Sequence, residues 1–188
     1  MKKYCVLDLK EKAFNLQCKF IAKYKQRWGL RESVEELNVQ IGHLCQSLIN
    51  NMLINQKIDA FNQPNRILRS ISDELCDCFL SICSIYKFYG MKNEQLTFYN
   101  ISNKNFNALI MELFILSSQL LDSCLIIYNI KPALNRNEYL IFMDRYSAIL
   151  NILEFISKKY HLDINAEFDK MIKRTLDYLQ GDENAKGV

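Results

Sequence analysis

The sequence predicts an all-α fold, and three observations carry that reading. Apolar residues recur at steps of three and four along most of the chain, which places them on one face of a helix. No segment alternates with period two for long enough to form a strand. Only 5 Gly and 2 Pro occur in 188 residues, too little punctuation for the many tight turns of an all-β fold.

The elements follow in order. A first helix is expected over residues 7–28, with Phe14, Leu16, Phe20, Ile21 and Tyr24 apolar, and Gly29 ends it. A second spans 33–55. Its apolar stripe is Val34, Leu37, Ile41, Leu44, Leu48 and Met52. Beside it Glu36, Gln40, His43 and Ser47 recur at steps of four, three and four, so they form a polar stripe on one flank. The polar run with Pro64 is a connector. A third helix covers 66–89 and ends at Gly90, a residue suited to the left-handed C-terminal position. It carries Ile71, Leu75, Phe79 and Ile82 on one stripe and Glu74, Asp77, Ser81 and Ser84 on another. After a second connector, Ser102 is placed to cap a fourth helix running to about residue 128. Pro132 marks the next turn, a fifth helix spans 137–160, and a sixth spans 165–179 before a polar tail.

Composition narrows the function classes. The net charge of +3 is too small to argue for a nucleic-acid partner. The N-terminus is charged too early for a secretory signal, and Glu112 and Asp122 interrupt the most apolar stretch, which argues against a membrane span. Without a signal, the 7 Cys read as reduced, buried thiols of a cytoplasmic protein. Cys76 and Cys78 lie two apart on a helix, face different ways and favour core packing over zinc.

A repeat is visible. "ELNVQIGHLCQSL" from Glu36 lays over "ELFILSSQLLDSC" from Glu112, and "DELCDCFLSICSIYKFYGM" corresponds loosely to "MDRYSAILNILEFISKKYHL". Two helix–connector–helix units packed face to face predict a four-helix core with extra helices at its edge. The expected division is a first unit over residues 1–92, a second over 93–180 and a flexible tail over 181–188.

If the second and third helices are antiparallel neighbours, their polar stripes face one another. Carboxylates converging from facing helices are how bundles build divalent-metal sites. The order "QRWGL", "EELNVQIGHL", "SDELCDCF" resembles the MazG-type all-α nucleoside-triphosphate pyrophosphohydrolases, relatives of the dimeric dUTPases. The resemblance covers residues 26–91. It implies a Glu-x-x-Glu pair on one helix and a Glu-x-x-Asp pair on the next, holding magnesium while a nucleotide is cleaved between its α and β phosphates. Glu74 and Asp77 match the second pair and would be catalytic. Lys170, in "LDINAEFDKMIKRTLDYL", matches the family's phosphate-contacting lysine. Arg27 and Trp28 would bracket a base, although a core Trp beside an exposed Arg is an equal reading.

The departures from the family are specific. Gln40 and His43, around Gly42 and Leu44, stand where the family has its first glutamate pair, so that motif is degenerate. In the second unit the corresponding residues are Leu116 and Gln119, then Asp144 and Ser147, which leaves that half as structural partner. Losing two carboxylates weakens binding of a hard, strongly hydrated ion, and imidazole favours softer metals. Glu36 is placed to substitute, giving a ligand set of Glu36, Gln40, His43, Glu74 and Asp77 for Mg²⁺ or Mn²⁺. The stripe is therefore either a re-tuned metal site or a remnant. The expected function is a MazG-like nucleotide-binding or regulatory protein. The alternatives are an active metal-dependent pyrophosphohydrolase and a purely structural helical module. A tandem copy supplies its own partner, so a monomer or homodimer is expected.

Overall fold

The described residues form six helices: α1 (Val6–Tyr24), α2 (Leu30–Asn55), α3 (Ile71–Tyr89), α4 (Phe106–Ile127), α5 (Glu138–Lys159) and α6 (Ile164–Gln180). They are seen in a computed structural model that describes residues 6–25, 27–55, 71–92, 95–101, 104–132 and 137–181. Among these residues there is no strand. The chain is all-α.

Four helices close a ring. α2 packs on α3 and α4 packs on α5, while α2 also meets α4 and α3 meets α5. The helices that the repeat aligns, α2 with α4 and α3 with α5, are thus neighbours across the ring. Outside it, α1 packs on α3 and α6, and α6 packs on α1 and α3. One contiguous apolar core runs through all six helices. Val34, Leu37, Ile41, Leu44 and Leu48 of α2 are all buried, as their spacing predicts, and Leu75, Phe79 and Ile82 of α3 meet them. Each such side chain contributes about 1.5–3 kcal/mol by leaving water. Polar contacts fix the register: Tyr146 Oη donates to the Ile82 carbonyl at 3.0 Å, tying α5 to α3. Ser117 Oγ lies 2.9 Å from Asn38 Oδ1, joining α4 to α2.

The helix ends depart from the sequence expectations for local reasons. α1 stops at Tyr24, where Lys25 takes a left-handed φ of 52°, so Trp28 stands in the connector rather than on a helix. The buried face of α1 is Val6, Leu9, Ala13 and Leu16; Phe14 instead meets Phe88 edge-on. α2 begins three residues earlier than the periodicity suggests. The Gly29 N–H donates to Glu32 Oε2 at 2.9 Å, and Ser33 Oγ donates to the Gly29 carbonyl at 2.8 Å, an arrangement akin to a capping box.

The start expected for the third helix and Ser102 lie outside the described residues. Asn105 caps α4 by accepting from the Asn107 N–H, and Asp163 caps α6 by accepting from Asn165 and Ala166. Gly90, with φ of 71°, closes α3 as expected: the Met91 N–H reaches back to the Tyr86 carbonyl at 3.0 Å. His161 ends α5 in the same left-handed conformation, with φ of 54°.

Two further expectations are met differently. Cys45, Cys76, Cys78, Cys83 and Cys124 are free and buried, but Cys18 is exposed. α4 is long and apolar enough, by length and composition, to cross a membrane; here it packs between α2 and α5.

Candidate ligand-binding site

The wall of the site comes from the way α1 is attached. α1 leans on α3 and α6, and a wedge opens between α1 and α2 above α3. That wedge is a cavity of about 420 Å³, within the range of small-molecule sites. α1 lines it with Gln17, Phe20 and Tyr24, and the connector adds Trp28. α2 contributes Glu36 and Gln40, and α3 contributes Asp77, Leu80, Ser81 and Ser84.

The sequence-selected residues divide between this cavity and its surroundings. Trp28, Glu36, Gln40 and Asp77 line it together. His43 and Glu74 meet one another instead: His43 Nδ1 lies 3.9 Å from Glu74 Oε2, a pairing that is ionic only when the imidazole is protonated. Glu74 is buried at 4% exposure and is not a wall residue of the cavity. His43 of α2 beside Glu74 of α3, with Gln40 and Asp77 on one wall, fits the antiparallel pairing that the sequence reading took as its condition.

Arg27 is exposed and does not line the cavity. Lys170 is also remote from the wall: its ammonium pairs with Glu167 at 2.7 Å on the outside of α6, with 66% of its side chain exposed. In the second unit Leu116 and Ser147 are buried while Gln119 and Asp144 face outward. Ser147 Oγ accepts from the Thr97 N–H at 3.2 Å.

Inside the cavity the hydrogen bonds leave acceptor oxygens on wall residues without a protein donor. Gln40 Nε2 donates to Glu36 Oε1 at 2.6 Å, which sets the orientation of the Gln40 amide. Its Oε1 is buried with no donor, and so is Oε1 of Gln17, a residue 7% exposed. A buried acceptor left without a donor costs about 1–3 kcal/mol. Ser81 and Ser84 spend their hydroxyl hydrogens on the Asp77 and Leu80 carbonyls of their own helix, at 3.3 and 2.8 Å. Trp28 Nε1 donates to Ser33 Oγ at 3.1 Å, which pins the indole at the mouth. Phe20 and Tyr24 stack at 6.1 Å. A hydrogen bond with Tyr178, and then burial, raise the Tyr24 phenol above its ordinary value, so it is neutral.

These residues do not fit the magnesium cluster the resemblance implies. Only Glu36 and Asp77 bring carboxylates to the cavity wall. Glu36 is engaged by the Gln40 amide, and Glu74 faces His43. Among the described residues no three His, Cys, Asp or Glu side chains group so as to hold a metal ion. A hard divalent cation needs more converging anionic oxygens than this.

Gln17 is the polar site residue that sequence reading missed, beside the apolar wall residues Phe20, Tyr24 and Leu80. It stands alone on a helix with no polar partner at helical spacing, so no stripe announces it. No family model, curated protein or solved structure matches the chain.

Proposed function

We propose that this chain is a MazG-like helical protein that binds a nucleotide-sized ligand as a sensor or regulatory module, with its ancestral metal site impaired. One observation carries the reading: Trp28, Glu36, Gln40 and Asp77, picked out by their order along the chain, share one cavity between α1, α2 and α3. The amide and imidazole at positions 40 and 43 support the impaired site. Neither adds negative charge, and each is hydrogen-bonded or paired to a carboxylate that a metal would need.

The test is a melting series with the four nucleoside triphosphates, with and without Mg²⁺ or Mn²⁺, run beside a pyrophosphate-release assay. Stabilisation without product is the expected result; a ligand at a hundred times its Kd adds about 2.7 kcal/mol. Pyrophosphate release that disappears in Asp77→Ala establishes the active hydrolase instead. Neither stabilisation nor turnover ends both readings and leaves a structural module.

A further inference from the structure

The cavity's chemistry is one-sided. Its wall carries the carboxyl groups of Glu36 and Asp77, and the Gln17 and Gln40 carbonyl oxygens are buried without a protein donor. The Ser81 and Ser84 hydroxyls have directed their hydrogens elsewhere. No Lys or Arg lines the cavity among the described residues. Lys23, beside Tyr24, is engaged by the Leu179 carbonyl on α6. Phe20, Tyr24 and Trp28 supply ring faces, whose quadrupoles attract positive charge.

A site made of acceptors, carboxylates and ring faces recognises a ligand with the opposite properties. We propose that this cavity binds a small organic cation carrying a flat ring and N–H donors, an amidinium or protonated amine. Its N–H groups meet Glu36, Asp77 and the Gln17 side-chain oxygen while its ring lies among Phe20, Tyr24 and Trp28. Gln17 is the second, independent sign of a ligand. It is 93% buried, it belongs to a different helix from both carboxylates, and its carbonyl has no protein donor. A bare metal ion leaves the three ring faces and most of 420 Å³ without a role.

This assignment stands on the cavity alone and does not need the nucleotide reading. The experiment titrates the full chain with benzamidinium, benzamide and benzoate, which share one ring and differ in charge and donors. Binding is read by calorimetry and by emission of Trp28, the single tryptophan of the chain. Benzamidinium is expected to bind at least about tenfold more tightly than benzamide, and benzoate not at all. Glu36→Gln and Asp77→Asn, which keep size and shape, each weaken benzamidinium about tenfold.

Equal binding of the three probes, or none by benzamidinium, overturns the proposal without recourse to any variant. So does magnesium chloride displacing benzamidinium at lower concentration, because the oxygens then serve a metal. Metal-free ATP binding where benzamidinium fails also overturns it and leaves the nucleotide reading standing. Benzamidinium binding where no nucleotide binds confirms it and removes that reading alone.

Discussion

Gln40 donates to Glu36 across one turn of α2, with 2.6 Å between Nε2 and Oε1. The amide thus occupies a carboxylate that a four-carboxylate cluster would turn toward an ion. Introducing an acidic pair with Gln40→Glu and His43→Glu places two more carboxylates beside Glu36 and Glu74. Without metal the double variant should lose about 0.5 kcal/mol to like-charge repulsion at helical spacing. With manganese it should melt well above its metal-free form, whereas the unmodified chain should show little manganese-dependent change. A double variant indifferent to manganese would show that the α2–α3 register itself cannot gather the ligands.

Gly42 sits in the middle of α2, and a Cβ built there meets nothing within 4 Å. Glycine inside a helix costs about 0.5–1 kcal/mol relative to alanine. Gly42→Ala should therefore raise stability by that amount in a denaturant titration. A loss of stability would mean that the added methyl meets a neighbour within the chain, against the open space beside Gly42.

How much of this was legible in the sequence varies with the kind of signal. The α2 core stripe and its polar flank were readable because five buried residues and four polar ones repeat at helical spacing. Gly90 was readable because a left-handed helix end selects glycine. The separation of Glu74 from Asp77 was not. Residues three apart differ by about 60° around a helix, enough for Asp77 to line the cavity while Glu74 turns toward His43. The early start of α2 was hidden because Gly29 reads as a helix breaker, and its role with Glu32 and Ser33 shows only in three dimensions.

Ser33 is fully buried and accepts from the Trp28 indole while donating to the Gly29 carbonyl. Ser33→Ala removes both interactions and should cost about 1–2 kcal/mol. Because Trp28 is the only tryptophan, its emission should also change in the folded state. An unchanged spectrum would place the indole elsewhere.

Burial alone would raise the Glu112 carboxyl, but hydrogen bonds from Lys104 and Tyr99 outweigh it and hold the group below its ordinary value. A depressed carboxyl contributes stability that is present above its unfolded pKa and is lost as pH falls through the lower folded value. Both partners are about one-third exposed, so the contribution is about 0.5–1 kcal/mol. Glu112→Gln should remove that much stability at neutral pH and flatten the acid limb of the stability profile. An acid limb identical to that of the unmodified chain would count against the cluster.

Burial pushes the Cys45 thiol up to about 11 and Cys76 to about 12, so neither supplies thiolate at neutral pH. Cys18 is the exposed thiol among the described residues. Brief treatment with iodoacetamide should label Cys18 and spare Cys45, Cys76, Cys78, Cys83 and Cys124 until denaturant is added. Mass spectrometry of the peptides reads the pattern, and early labelling at Cys76 would contradict the packing of α3.

Since α1 packs on α3 and α6, the gap beside it is bordered by the link that carries Lys25, Trp28 and Gly29. Its width is thus tied to the placement of Trp28, the wall side chain that the link carries among the described residues. Lengthening the link by a residue would alter how readily a guest enters and leaves while the wall residues on α1, α2 and α3 keep their identities.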